Sequence, residues 1–96
     1  MSTFNLKFKP IKKNNILFKP LDDGAVLFDP TTETVHTLNP SAAFIWLHCD
    51  GENSIEEIVY QIKQNFTEFQ QSPAEAVFNT INTLQSLHLL AEWGLQ

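Results

Sequence analysis

Leu38-Asn39-Pro40-Ser41-Ala42-Ala43-Phe44-Ile45-Trp46-Leu47, followed by Asp50-Gly51 and then by Ser54-Ile55-Glu56-Glu57-Ile58-Val59, decides how this chain folds. A strand ends on Leu38, and beyond it the pattern becomes helical. Asn39 is suited to cap a helix whose first residue is Pro40, a position where the missing N–H of proline costs nothing. That helix runs to about His48. It is apolar nearly all round, which predicts a buried helix. Asp50-Gly51 ends it. Ser54 and Glu57 have the spacing of a capping box. Ile55, Ile58, Val59, Ile62 and Phe66 then mark one face of a second helix.

Upstream, Ile16-Leu17-Phe18 reads as a short strand closed by Pro20. Leu21-Asp22-Asp23-Gly24 is a hairpin turn, because Asp-Gly supplies the positive φ of tight turns. Ala25–Asp29 is a second strand and Pro30-Thr31-Thr32-Glu33 a second turn. Thr34–Leu38 is a third strand, rich in β-branched residues. Connections this short predict an antiparallel meander. Downstream, Gln70-Gln71 lie in a loop, and Ser72 with Glu75 forms another capping box around Pro73. The third helix runs to about His88, with a core stripe of Val77, Ile81, Leu84 and His88. Leu89-Leu90-Ala91-Glu92-Trp93 reads as a short extended end. The fold class expected is α+β and winged-helix-like: a three-stranded antiparallel sheet followed by three helices. Residues 1–15 are expected as a loose basic arm, with an edge strand at Phe4–Phe8, and residues 16–96 as the folded domain.

The 96 residues make one domain. A chain of this size buries about 60–65% of its unfolded surface, enough for one core. The longest apolar run, Ala42 to Leu47, is far below the roughly 20 residues of a membrane span. No apolar signal-peptide segment follows the N-terminus. The one cysteine, Cys49, fits a reducing compartment. These features predict a soluble, cytoplasmic protein that does not engage membranes. Charge is unevenly placed: five of the six lysines fall in residues 1–19, which contain no acid. Residues 20–96 carry one lysine against eleven acids, a net charge of −10. The arm is either a solvated tail or a docking element for an acidic partner.

The helix pair invites a DNA-binding reading, and the charges exclude it. A recognition helix needs Lys or Arg against phosphates. The third helix has only His88, and the second only Lys63. Catalysis is also not expected. His36, His48 and His88 lie on a strand and two different helices, and no metal-binding spacing exists. Cys49 ends a buried helix and reads as a small core residue. Ser41 and Ser54 are explained by capping. Glu56 and Glu57 favour the dipole at a helix start. Neither a metal nor a cofactor is expected.

Leu38-Asn39, the small and apolar Ala42, Ala43, Ile45, Trp46 and Leu47, the Cys49-Asp50-Gly51 turn and the Ser54–Val59 helix together resemble the PqqD-like family. These are peptide-binding domains also called RiPP precursor recognition elements. Val77, Ile81 and Leu84 and the Leu89-Leu90 end continue the resemblance, which covers about residues 16–93. His88 departs from it, standing where the family usually has glycine. The resemblance implies a partner: the leader segment of a ribosomally made precursor peptide, presented to a modifying enzyme such as a radical-SAM enzyme or a peptidase. It also implies where the leader sits, as a strand added to the third strand, with its apolar side chains between that strand and the third helix.

The residues support part of this. Thr34–Leu38 lacks both Pro and Lys, the usual edge protections. The expected site is therefore the backbone of Val35, His36, Thr37 and Leu38, with Phe78 as anchor and Ile81, Asn82 and Gln85 nearby. Phe78, Asn82, Gln85 and Leu89 form a second stripe on the third helix. Thr80 and Leu87, on its other flank, are the alternative lining. An open edge also lets two copies pair as a homodimer. The alternative function is a general protein-interaction module, or an acidic winged-helix regulator without precursor binding.

Overall fold

The structure, a computed structural model, describes residues 6–66 and 72–91. Its elements are β1 (Leu17–Leu21), β2 (Gly24–Asp29), β3 (Thr34–Leu38), α1 (Pro40–Leu47), α2 (Ile55–Asn65) and α3 (Pro73–Ser86). The sheet is an antiparallel meander with β2 in the centre. The Gln70-Gln71 loop, Glu92 and Trp93 of the expected extended end, and the start of the expected Phe4–Phe8 strand lie outside the described residues.

β1 continues through Pro20 rather than closing before it. An edge strand tolerates proline where the absent N–H would point to solvent. The loop between β1 and β2 is Asp22-Asp23, closed by the pair Leu21 and Gly24. Gly24, now the first residue of β2, carries the positive φ of +133°. A Cβ there would overlap the carbonyl oxygen of Leu38, so glycine lets the end of β3 close against β2.

At Asn39 and Ser54 the caps form as their spacing predicts, and of the expected Ser72–Glu75 box one bond forms. Asn39 Oδ1 accepts from the N–H of Ala42 at 2.8 Å. Ser54 Oγ accepts from the N–H of Glu57 at 3.1 Å, and Glu57 Oε1 from the N–H of Ser54 at 2.7 Å. The Ser54 N–H holds the Glu57 carboxyl below its ordinary range. Ser72 Oγ accepts from the N–H of Glu75. Ile45 and Trp46 of α1 are buried against Leu27 of β2, Ile55, Ile58 and Ile62 of α2, and Val77, Ile81 and Leu84 of α3.

His88 is not in the core stripe. It is exposed and adopts φ +61°, one residue past the cap of α3. The His88 N–H bonds the Gln85 carbonyl, and the Leu89 N–H bonds that of Leu84. This is a Schellman ending with histidine in the place glycine usually takes. The chain reverses there, and Leu89 enters the core instead.

The N-terminal segment differs most from expectation. Residues 6–13 are laced into the domain rather than loose. The Phe8 and Leu6 carbonyls accept from the N–H groups of Ile55 and Glu56, completing the first turn of α2. Pro10 O accepts from Gly51, Cys49 O from Lys12, Leu89 O from Lys13, and Ile11 O from Ala91. Lys7 pairs with Glu56 at 3.3 Å on the surface. Such a pair adds little stability, but it places arm lysines against the acids of α2. No helix among the described residues is long and apolar enough to cross a membrane.

Two stability measurements follow from this packing. Trp46 is 2% exposed, so Trp46→Ala should cost ~3–5 kcal/mol in denaturant unfolding. A midpoint close to that of the parent would contradict its place in the core. His88→Gly should stabilise by about 1 kcal/mol, because glycine carries no left-handed penalty. Thermal melting should then rise by ~4–8 °C.

Candidate functional site

β2 bonds one neighbour with alternate residues and the other neighbour with the rest. The two-residue loop makes Leu21 and Gly24 a hydrogen-bonded pair, and Pro20 opposite Ala25 sits at a position that needs no N–H. Gly24, Val26 and Phe28 therefore bond β1. Ala25, Leu27 and Asp29 bond Leu38, His36 and Thr34 of β3. Val35 and Thr37 are left with N–H and C=O groups directed outward from the sheet. The two edges differ in protection. β1 carries Lys19 and Pro20, whereas β3 carries neither proline nor any formally charged Lys, Arg, Asp or Glu.

Beside the open edge lies a groove of about 490 Å³. Its strand wall runs from Val35 to Leu38 and turns the corner at Asn39. Ala42 of α1 also lines it. The opposite wall is α3, which contributes Asn79, Thr80, Thr83 and Leu84, continued by its cap residue Leu87. Leu84 is buried and Leu87 is 40% exposed, so the apolar lining grades from base to rim. Among the described residues, no Lys, Arg, Asp or Glu lines the groove. Along the strand, His36 Nε2 lies 3.2 Å from Thr34 Oγ1, which lies 2.7 Å from Thr32 Oγ1. Hydroxyls, amides and apolar surface can hold an extended peptide.

The strand residues expected at the site, Val35, His36, Thr37 and Leu38, all border the groove. The helix residues expected there do not. Phe78 packs against the core, and Ile81 is fully buried within it. Asn82 is exposed and Gln85 half-buried, and neither lines the cavity. One residue along a helix is a rotation of about 100°. The face turned to β3 is the flank of Thr80 and Leu87, joined by Asn79 and Thr83. Asn39 and Ala42 were legible only as capping and helix residues. Their place at the groove follows from the abrupt turn of β3 into α1.

Elsewhere the titratable groups have structural explanations. Cys49 is fully buried, and its thiol donates to the Ile45 carbonyl at 3.3 Å. Burial pushes its pKa from 9.0 to about 12, with Lys12 opposing. Asp50 is held below its ordinary range by the N–H of Glu52 and by the backbone and side chain of Asn53. His48 Nδ1 lies 2.9 Å from the Phe44 carbonyl, and its ring packs on that of Phe44. Among the described residues, no three His, Cys, Asp or Glu side chains converge on a metal position.

Comparison with known proteins places this geometry. The family described as Coenzyme PQQ synthesis protein D (PqqD) matches residues 24–90. No curated protein matches the sequence. The structure of TbiB1 in complex with the TbiA(beta) leader peptide is similar, with a TM-score of 0.73 and 20% identity. That match covers 86% of this chain and 96% of that one. Lasso peptide synthetase B1 complexed with the leader peptide also gives a TM-score of 0.73, at 15% identity, covering 88% of this chain and 99% of that one. At such identities the likeness establishes a shared fold.

The burial of Cys49 has a chemical consequence. The unfolded thiol ionises near pH 9 and the folded one near 12, so stability should fall as pH rises across that interval. At pH 8 a disulfide reagent should label Cys49 only as fast as the domain opens. Immediate stoichiometric labelling of the folded protein would show the thiol to be accessible.

Proposed function

We propose, on the premise that this chain belongs to the PqqD family, that it binds the leader of a ribosomally made precursor peptide and presents the precursor to a modifying enzyme. The leader adds to the sheet as a fourth strand beside β3. The observation that carries this reading is the coincidence of an unprotected edge with a groove along the same four residues, Val35 to Leu38. Strand addition needs both: backbone groups for affinity and an adjacent cleft for alternate side chains. The N–H and C=O groups of Val35 and Thr37 would form the ladder. Leader side chains on the face shared by His36 and Leu38 would enter the groove, against Thr80, Thr83 and Leu87. The other side chains would continue the outer face of the sheet, where Leu17 and Val35 are 60% and 61% exposed. A modifying enzyme, such as a radical-SAM enzyme or a peptidase, would meet that joint apolar surface.

The groove can be tested separately from the fold. Thr83 is exposed on α3, so Thr83→Arg should fold normally while filling the cleft. Calorimetric titration with leaders of precursors encoded near its gene should show affinity reduced by roughly thirtyfold, about 2 kcal/mol. Phe78→Ala should lower the melting temperature but leave the affinity of the folded protein within about threefold. The reverse pattern would move the site to the Phe78 flank. Failure of the parent to bind any such leader would favour a general interaction module.

A further inference from the structure

We infer that a hollow bordered by the basic arm, apart from the β3 groove, docks an acidic segment of a partner protein that also carries apolar side chains. The hollow measures about 470 Å³. Phe18 of β1 and Trp46 and Leu47 of α1 give it apolar walls, and Ile11, Lys12 and Lys13 of the arm border it. Ile11 and Leu47 are 45% and 49% exposed, so apolar surface lies open beside the two lysines. Residues 11–15 also line a second hollow, of about 440 Å³, and so stand between the two. A ridge carrying two cations between two hollows fits an extended segment rather than a single small anion.

Charge complementarity selects the occupant. The earlier arm lysines are answered inside the domain. Lys7 pairs with Glu56, and Lys9 lies close enough to Glu57 for its charge to act on that carboxyl. Among the described residues, Lys12 and Lys13 have no carboxylate within 4.0 Å. Two acids border the same hollows, and both are held by main-chain N–H groups. Asp50 accepts from Glu52 at 2.9 Å and from Asn53 at 3.0 Å, and Asp29 accepts from Thr31 at 3.0 Å. The Lys12 ammonium lies 5.9 Å from the centre of the Trp46 ring, which sets its charge against the apolar wall. A carboxylate from outside meets both cations there, and an apolar side chain beside it meets Ile11 and Leu47. A nucleic acid fits less well. Asp29 and Asp50 flank the lysines, and residues 20–96 carry a net charge of −10, which repels a run of phosphates. No residue lines both this hollow and the β3 groove, so both can be filled at once. The docking surface stands on its own geometry; that its partner is the modifying enzyme, held while the leader lies beside β3, rests on the reading given above.

Nitrogen-15 NMR titration with a short capped peptide of alternating glutamate and leucine tests the surface. Saturable shifts should appear at residues 11–15, at Leu47 and at the Trp46 indole N–H. Lys13→Glu keeps the main-chain bond of that residue to Leu89 and should weaken the peptide roughly tenfold. Leu47→Ser removes half-exposed apolar surface and should weaken it severalfold. Raising the salt to about 0.5 M should weaken the peptide as well. A leader bound beside β3 should keep its affinity in Lys13→Glu. Shifts confined to Val35 to Leu38 would show strand addition alone and overturn the inference. Equal binding by Lys13→Glu would overturn it too, as would equal binding of a peptide with glutamine in place of glutamate. A DNA duplex that shifts residues 11–15 at lower concentration than the peptide would assign the patch to nucleic acid and also overturn it. Should Leu47→Ser not fold, Lys13→Glu decides. Failure of every leader beside β3 would strike the proposed function and leave this surface standing. Leader binding there, with no peptide shift at residues 11–15, would do the opposite.

Discussion

The burial of one apolar helix sets the geometry of the whole domain. α1 is the element whose backbone approaches the sheet on one side and both remaining helices on the other. Its eight residues carry no charge, and Ala43, Ile45 and Trp46 are buried. Because α1 lies between them, α3 stands off from β3 instead of packing flat on it. The space left over is the groove, with Ala42 of α1 in its lining. A spacer of small and aromatic residues thus does two things. It supplies the centre of the core, and it holds open a cleft that direct sheet-to-helix packing would have closed.

The N-terminal segment ties that arrangement together. It bonds the start of α2, the turn after α1 and the chain beyond α3 through main-chain groups. Those are the ends at which the helices would otherwise leave N–H and C=O groups unpaired. The lysines that give the arm its charge serve the same purpose locally. Lys7 reaches Glu56, and Lys12 lies 5.9 Å from the centre of the Trp46 ring. The opposition of a basic arm and an acidic domain is thus met in part within the molecule. A groove whose described lining carries no Lys, Arg, Asp or Glu is consistent with recognition through backbone pairing and shape rather than charge.

What could be read from the sequence follows from where the information sits. Caps, turns and the apolar helix are written in side chains at fixed spacings, so the meander and all three helices were legible. The arm was not, because bonds such as Phe8 C=O to Ile55 N–H involve groups that every residue possesses. The open edge of β3 was visible as an absence of proline and lysine. The facing flank of α3 was harder. Val77, Ile81 and Leu84 fix which stripe is inside, but two flanks border any stripe. Choosing between Phe78 and Thr83 requires the direction in which α3 crosses the sheet. That is set by packing against α1 and α2, which no local pattern records. His88 carried a readable signal of another kind. A residue standing where glycine is usual marks a left-handed position, and φ +61° is found there.

An open edge is a hazard as well as a site, and the dimensions of β3 limit the hazard. Five residues present two outward-facing residues, Val35 and Thr37, so any single pairing is weak. On one side of that edge stands α3. At its far end the chain turns into α1 at Asn39, and at its near end the Pro30–Glu33 turn, with Glu33 at φ +59°, closes the hairpin. A strand boxed in this way cannot be extended into a long ladder. The other edge is blunted by Lys19 and Pro20, so sheets joined at β3 cannot go on adding copies. One protected edge and one short open edge allow a single partner at a time. That limit separates an edge open to one added strand from a template for aggregation.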